Sequence, residues 1–504
     1  MFLFVIILVT SLYSYGADKI AKSSSNVRAL SQALKKSHIS KQKQAQESSD
    51  DESDEEATDV AVPAQITPRY AQLIFNGYSS MVAIASAINA EQKGLYFSFY
   101  EANELIKNNT EYSPIIRSLL RKQDDPIAKQ ALVDKKNYEK NDIFAAVLMH
   151  CKCTVKRSNS KITKHSSQYD HLLHQKIYLF ENAYQGEPVC FIGSHNPTDH
   201  SISKQHNSML MITGEELFAQ LKDRFDLLFQ HHATPVDDIK LTDESIENFE
   251  DEKKLPEDVI PQEIDMSKAV KLPPDAEISL LKTPLTQDPG REIIDTIVDL
   301  INNEDEELYY VHYRLTDAKI VYALRDAMDR GVNVHIMIDD SGLERDEGYL
   351  THRTGHLAMK KLQEKVVNLP NCSFGVITQK LRLMLHDKTL ACKNNGEGVV
   401  VIGSWNSTGN STLYSCEATA VCKGSNELFE QIKTEFDRLK RLKNGNHQAA
   451  QAFYQTSESL MSNVSFSQKF TPFSEHKAAA ASHSYSINNW KLGPSGKHLT
   501  LKNT

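Results

Sequence analysis

The chain has 504 residues, with 57 Lys and Arg against 66 Asp and Glu, for a net charge of −9. At roughly 100–200 residues per domain it holds two or three domains, and 40% hydrophobic with 24% charged residues lets most of it fold. The acidic balance excludes a globally basic nucleic-acid coat, Gly at 20 and Pro at 16 exclude a collagen-like chain, and seven Cys are too sparse for a disulfide scaffold.

Phe2 to Leu12 is an apolar run, too short for the about 20 residues that span a bilayer, and it is followed by Ser14, Gly16 and Ala17. This pattern, although it lacks a basic n-region, predicts a signal peptide over 1–16 and a secreted or periplasmic protein. Residues 17–66 contain the acidic run Glu47 to Glu56, whose charges repel and bury nothing, so a disordered leader is expected.

A first domain is expected over 67–232. There Leu95–Tyr100 reads as a first strand, Ile115, Ile116, Leu119 and Leu120 mark a helix, and Ile143–Met149 reads as a second strand. Cys151 and Cys153 read as strand residues rather than metal ligands. Residues 233–275, rich in Asp, Glu and Lys with Pro256, Pro261, Pro273 and Pro274, have the composition of a linker.

The second domain, 276–444, is clearer. Glu307–Leu315 is a strand rich in aromatics, Asp317 caps a helix carrying Ile320, Val321, Leu324 and Met328, and Gly331 ends it. Val332–Ile338 is a buried strand, Thr354–Val366 a helix, and Cys372–Ile377, Leu381–Cys392 and Val399–Ile402 three more strands. Strands alternating with helices predict an α/β layered fold. Residues 445–504 read as a low-complexity tail.

An internal repeat carries the chemistry. His174-Gln-Lys176 is followed by a strand, a turn and Gly193-Ser194-His195-Asn196; His386-Asp-Lys388 is followed by a strand, a turn and Gly403-Ser404-Trp405-Asn406. Both copies then reach a similar helix, Glu216–Phe225 and Glu427–Phe436. On a strand, residues i and i+2 share a face, so His-x-Lys presents an imidazole beside an ammonium. Gly permits close backbone approach, while Ser and Asn offer neutral hydrogen bonds. Two copies face to face bring two lysines to phosphate oxygens, one histidine to attack phosphorus and another to protonate the leaving oxygen. This chemistry needs neither metal nor organic cofactor, and no metal-spaced cluster appears.

The duplicated pattern resembles the phospholipase D superfamily, whose signature is His-x-Lys-x4-Asp followed by Gly-Ser or Gly-Gly-x-Asn. The second copy, with His386-Asp-Lys388, Gly403-Ser-Trp-Asn406 and the later Glu417, is also similar to the nuclease-like and mitochondrial-type branch. The resemblance implies two mixed β-sheets flanked by helices, packed about a pseudo-two-fold with one site between them. It also implies a phosphohistidine intermediate, with His174, Lys176, Asn196, His386, Lys388 and Asn406 catalytic and Ser194, Ser404, Glu417 and Glu181 supporting. The signature Asp is Glu181 in the first copy and Lys393 in the second, and the counterpart of Glu417 is Asn207. If Glu417 and Asn207 each contact the imidazole of their own copy, His386 is paired with a carboxylate and holds its proton more firmly than His174. His386 is then the general acid and His174 the nucleophile, matching the superfamily's usual N-terminal nucleophile; the opposite assignment stays open, because a carboxylate also makes its partner a stronger nucleophile.

Around this centre the basic stretch Lys152, Lys156, Arg157, Lys161 and Lys164 reads either as a solvated loop or as an anionic-substrate rim. Trp405 either lines the pocket or fills the domain seam. His165, His171 and His195 read as solvated or structural, and Tyr309, Tyr310 and Tyr313 as core. The function expected is an exported phosphodiesterase hydrolysing phospholipid, at a membrane surface, to phosphatidic acid. The alternatives are a nuclease or nucleic-acid phosphodiesterase, and a catalytically weakened phosphate- or lipid-binding protein, motivated by Glu181 and Lys393. No protein partner is required, because both catalytic halves lie in one chain.

Overall fold

In the computed structural model, described residues run from 69 to 443, except 103–105, 108–110, 136–137, 160–171, 237–259, 284–291, 341–349 and 378–382, together with 490–492 and 499–501. The signal peptide, the acidic leader, Lys161, Lys164, His165, His171 and nearly all of the 445–504 tail lie outside them.

The first half runs β1 (Tyr70–Asn76), α1 (Gly77–Ala90), β2 (Gly94–Phe99), β3 (Ile106–Lys107), β4 (Glu111–Tyr112), α2 (Pro114–Arg121), β5 (Ala128–Val133), α3 (Tyr138–His150) and β6 (Thr154–Ser158). It continues with β7 (Leu172–Leu173), β8 (Ile177–Tyr184), β9 (Glu187–Gly193), α4 (Asp199–Ser203), β10 (Gln205–Thr213), α5 (Glu215–His231), β11 (Ala233–Pro235) and β12 (Val270–Lys271). The second half runs β13 (Glu277–Lys282), α6 (Glu292–Asn302), β14 (Glu307–His312), α7 (Ala318–Asp329), β15 (Asn333–Asp339), α8 (Leu350–Val366) and β16 (Ser373–Ile377). Then follow β17 (Met384–Leu385), β18 (Lys388–Asn394), β19 (Glu397–Gly403), α9 (Gly409–Tyr414), β20 (Ser415–Cys416), β21 (Ala418–Lys423) and α10 (Asn426–Lys443). A last pair, β22 (Trp490–Leu492) and β23 (Leu499–Leu501), lies in the tail.

The two sheets share one plan. The ten-stranded sheet is ordered β11-β6-β5-β2-β8-β9-β10-β1-β12, with β17 joining β10, and the seven-stranded sheet is ordered β13-β21-β19-β18-β14-β15-β16. Read from β6 and from β16, the two orders correspond strand for strand. Parallel pairs β2–β5–β6 and β14–β15–β16 give way to antiparallel β8 and β18, so both sheets are mixed.

Each sheet is buried on both faces, which is why its central strands are apolar at consecutive positions. On β8, Ile177 and Leu179 enter a central core shared by both halves, while Tyr178 and Phe180 enter an outer core under α1–α3. On β19, Val400 and Ile402 enter the shared core and Val399 and Val401 the outer core under α6–α8. The central layer is filled by α5 and α10, through Leu221, Phe225, Leu228, Phe429, Ile432 and Phe436. Residues 67–504 accordingly form one compact unit rather than two separable domains.

Local signals place most helices. Asp317 accepts from the Lys319 amide at 2.9 Å, and Ser113, preceding Pro114, accepts from Ile116 at 3.4 Å. Gly331, at φ +93°, ends α7.

Three readings need correction. Ile143–Met149 lies in helix α3, and the second strand is β5; a short continuous apolar run, buried here from Phe144 to Leu148, does not distinguish strand from helix by periodicity. Cys151 and Cys153 flank the turn between α3 and β6 rather than lying in a strand, with Lys152 at φ +60° between them. Part of 233–275 is not linker: β11 pairs with β6, β12 pairs with β1, and Ile264 packs into the first outer core. All seven cysteines are among the described residues, and none forms a disulfide.

Candidate active site

The site lies where the parallel strands end and the chain re-enters antiparallel. Neither His-x-Lys is fully within a strand; His174–Lys176 bridges β7 and β8, and His386–Asp387 bridges β17 and β18. The short strands preceding them are exchanged between the halves. β7 pairs in parallel with β20, and β17 with β10. The His174 amide donates to the Cys416 carbonyl at 2.9 Å, and the His386 amide to the His206 carbonyl at 2.8 Å. Buried Asp134 and Asp339, at the ends of β5 and β15, fix the same segments by accepting from the Leu173 and Leu385 amides at 2.6 and 2.8 Å.

This exchange decides which side chains meet. Cys416 and His206 each precede the residue that touches an imidazole. Nδ1 of His174 lies 2.9 Å from both Glu417 oxygens, and Nδ1 of His386 lies 2.9 Å from Asn207 Oδ1. The pairing crosses between copies, so the expectation that Glu417 serves His386 is overturned. A strand pairs with its spatial neighbour, and the neighbour of each histidine segment belongs to the other copy. Ser404 Oγ donates to Glu417 at 2.5 Å and Ser194 Oγ to Asn207 at 3.3 Å, completing two related Ser–acceptor–His chains. With Nδ1–H donated to these acceptors, Nε2 of each ring is the atom left for chemistry.

The glycines before the two serines are required by close approach. A Cβ on Gly193 would lie 2.3 Å from the Ser208 carbonyl oxygen, and one on Gly403 2.4 Å from that of Ala418.

Both lysines are fully enclosed. Lys176 Nζ donates to the His174 carbonyl, and Lys388 Nζ to that of His386 at 2.6 Å. Burial pushes Lys176 down to about 7, although Glu417, Glu101 and Asp134 oppose it, and holds Lys388 well below the ordinary lysine range, with Lys176 adding repulsion. Burial likewise lowers His174, with Glu417 opposing, and lowers His386 further, because Lys388, Lys176, His174 and His195 all repel its proton. His386 is therefore the weaker proton holder, the reverse of the order expected from sequence. The carboxyamide oxygens of Asn196 and Asn406 are buried without a hydrogen-bond partner among the described residues. Two desolvated ammonium groups and two ring nitrogens suit an entering phosphate.

Tyr100 and Tyr313 wall the site, with rings 5.0 Å from His174 and 5.2 Å from His386. Lys176 and Lys388 each lie 5.4 Å from the centroid of the tyrosine in their own half. Tyr309 and Tyr310 are core as expected, but Tyr313 is a site residue. Tyr100 was invisible beforehand, although its place one residue past its strand matches that of Tyr313.

Other expected residues lie elsewhere. Trp405 is 1% exposed, donates Nε1–H to Thr412 at 3.2 Å and fills the second outer core, so it is no substrate rim. Its counterpart His195 is also buried, its ring nitrogens without a hydrogen-bond partner among the described residues, and burial pushes it down to about 3. Lys156 is not on a rim either; its Nζ turns to the Phe229 carbonyl at 2.9 Å. Arg157 is on the same strand, β6, half-buried. Glu181 and Lys393 stand seven residues along β8 and β18 from the histidines, on the order of 20 Å in an extended strand. Glu181 accepts from Tyr96 Oη at 2.5 Å, and Lys393 approaches Glu307 at 3.8 Å. A buried carboxylate does serve each of these strand ends. Glu91 accepts from the Gly94 and Asn182 amides at 2.9 and 3.0 Å, and Glu304 from the Glu307 and Lys393 amides at 3.1 and 2.5 Å.

Charged residues of the central helices brace the histidine loops and were missed. On α5, Arg224 donates to Gln175 at 3.1 Å and to the Glu417 carbonyl at 2.9 Å, tying the two halves of the His174 site together. At the matching place on α10, Glu435 accepts from His206 Nε2 at 2.5 Å, and His206 Nδ1 donates to Asp387. Burial opposes the charge on His206, but Asp387 and Glu435 overcome it and raise its pKa to about 9. A folded-state pKa above the unfolded value stabilises the fold fully below about 6.5, and this contribution disappears as pH climbs through 9. The shift corresponds to about 3 kcal/mol. His206→Gln should therefore lower the melting temperature most at pH 6, with the gap to wild type closing by pH 10, as read by thermal unfolding across pH.

The signal that marks them in the sequence is the repeat itself: Arg224 and Glu435 occupy equivalent positions, one residue before Phe225 and Phe436.

Comparison with known proteins agrees with this architecture. The family model described as cardiolipin synthase, PLD-like domain matches residues 85–229 and 297–440. No curated protein sequence matches the chain. Phosphatidylserine synthase from Haemophilus influenzae shares the fold at TM-score 0.51 and 13% identity, covering 79% of this chain and 96% of that one. Nuc, a phospholipase D family member from Salmonella typhimurium, aligns at TM-score 0.26 and 20% identity over 32% of this chain and 93% of its own. With both histidine–lysine copies inside the two matched segments and built into equivalent sheets, the chain belongs to the phospholipase D-like family, in a two-copy form.

Proposed function

We propose that this protein is a phosphodiesterase that cleaves phospholipid on the head-group side, giving phosphatidic acid through a phosphohistidine. The observation that carries it is the crossed pair of imidazoles, one held by Glu417 and the other by Asn207, over two buried lysines. A carboxylate on Nδ1–H stabilises the positive charge that develops when Nε2 attacks phosphorus, so His174 is the nucleophile. Asn207 is neutral and stabilises no such charge, which leaves His386 to exchange protons.

The steps follow. The substrate phosphate binds between Lys176 and Lys388, and its negative charge raises the proton affinity of both lysines and of His386. The Nε2 lone pair of His174 forms the N–P bond while the bond from phosphorus to the head-group oxygen breaks, and His386 gives its proton to that oxygen. Water then attacks phosphorus, its proton passing to His386, and the N–P bond breaks to release phosphatidic acid and free His174.

The lipid reading is supported by the family model, described for a cardiolipin synthase domain. The nuclease alternative rested in part on the basic stretch, of which Lys152 pairs with Asp124 and Lys156 with a backbone carbonyl. The weakened-protein alternative rested on Glu181 and Lys393, both remote from the histidines. Purified protein given phospholipid vesicles and single-stranded DNA in parallel should release head group from the vesicles and leave the DNA intact; DNA cleavage without lipid cleavage would reverse the assignment.

The shifted pKa values of the site set a pH dependence. His174 must be neutral to attack, and its pKa lies below 6.5, so kcat/KM falls as pH drops beneath it. Lys176 must be charged to receive phosphate, and its pKa is about 7, so kcat/KM falls as pH rises above that. The expected profile is a bell with its maximum on the acid side of neutrality, and inhibition by inorganic phosphate should weaken along the same alkaline limb.

A further inference from the structure

The two halves differ at the wall of the site. The residue after Tyr100 is Glu101, and the residue after Tyr313, at the matching place beyond β14, is Arg314. The Arg314 guanidinium lies 4.9 Å from the centroid of the Tyr313 ring, the ring that faces His386, and its Nη2 is 3.5 Å from Tyr313 Oη. Its Nε is buried without a hydrogen-bond partner, and no carboxylate is in ion-pair reach among the described residues. Its charge bears on the buried Lys388 ammonium. A half-buried guanidinium beside a buried ammonium is repulsive unless an anion joins them. The scissile phosphodiester has one negative charge, which the two lysines already receive. Arg314 thus has charge and donors left over for a different anionic group.

Its position says which part of the substrate that group belongs to. Attack from His174 in line with the breaking bond sends the leaving group toward His386, and hence toward Tyr313 and Arg314.

We propose that Arg314 is a specificity-determining residue that binds an anionic group on the departing head group, so that the preferred substrate is a phospholipid whose head group carries a carboxylate or a second phosphate. This rests on the phospholipid reading above, with His174 as nucleophile. A planar guanidinium matches such a group with two parallel hydrogen bonds, which a lysine does not reproduce in full. On the opposite wall, Glu101 provides no equivalent attraction.

The test uses short-chain, monomeric phosphatidylserine and phosphatidylethanolamine, which differ only by the head-group carboxylate and present no charged surface. The full-length protein should favour phosphatidylserine by about tenfold in kcat/KM. Arg314→Gln should bring the ratio to about one, Arg314→Glu should reverse it, and Arg314→Lys should keep part of it. A wild-type ratio near one, or a preference that survives Arg314→Gln, would overturn the proposal while leaving phospholipid cleavage standing. If Arg314→Gln does not fold, loss of the preference in a folded Arg314→Lys together with its persistence in a folded Arg314→Glu would overturn it equally. Cleavage of neither lipid by the wild type would remove the phospholipid reading and this assignment with it.

Discussion

Quenching the protein with denaturant during turnover should leave phosphorus covalently bound to His174 and none on His386. The expectation follows from the crossed contacts: of the two site histidines, His174 is the one with a carboxylate on its Nδ1, at 2.9 Å, to balance the charge of an N-phosphorylated ring. His174→Ala should remove the label and lower kcat by about 10⁴-fold or more, because no second nucleophile lies behind it. His386→Ala should behave differently. It removes the leaving-group acid, worth about 10²–10⁴-fold on a substrate with a poor leaving group. It should still permit labelling from a p-nitrophenyl ester, whose leaving group departs without a proton. Label recovered on His386, or label that survives His174→Ala, would exchange the two roles.

Glu417→Gln should be nearly as damaging. The substitution keeps size and a hydrogen-bonding oxygen but removes the charge that faces His174. A neutral partner in place of the carboxylate behind a catalytic imidazole lowers kcat by about 10⁴ in the serine-protease triad, and a loss of about 10³-fold or more is expected here. A second readout separates this from misfolding. Glu417 opposes the lowering of the His174 pKa, so its loss should move the acid limb of kcat/KM to lower pH. Asn207→Ala, which removes the neutral partner of His386, should cost less and leave that limb in place. Equal losses from both substitutions, with no movement of the limb, would show that the crossed contacts do not differentiate the histidines.

The sequence by itself determined the duplication. Two copies of His-x-Lys and Gly-Ser-x-Asn, at matching distances from similar helices, pointed to a duplicated domain, because short-range spacing is preserved when a strand and its hairpin fold. The cap at Asp317, the glycine at 331 and the strands rich in aromatics and β-branched residues were legible for the same reason: they are local. The errors had a common origin as well. Phe144–Leu148 is buried at every position, and periodicity then carries no distinction between helix and strand. Trp405, Lys156 and Tyr313 were placed by composition, whereas their surroundings come from elements distant in the chain.

Only the tertiary structure decided the partners. Whether Glu417 meets His386 in its own copy or His174 in the other depends on β7 pairing with β20 and β17 with β10, two short exchanges with no local signal. The same holds for the Arg224 and His206–Glu435 braces and for the Arg314 guanidinium, whose meaning lies in which wall it occupies. Residue types and their spacing fix what a site can do, but long-range strand pairing fixes which of two similar histidines has a carboxylate at its back, and so which one we propose as the nucleophile.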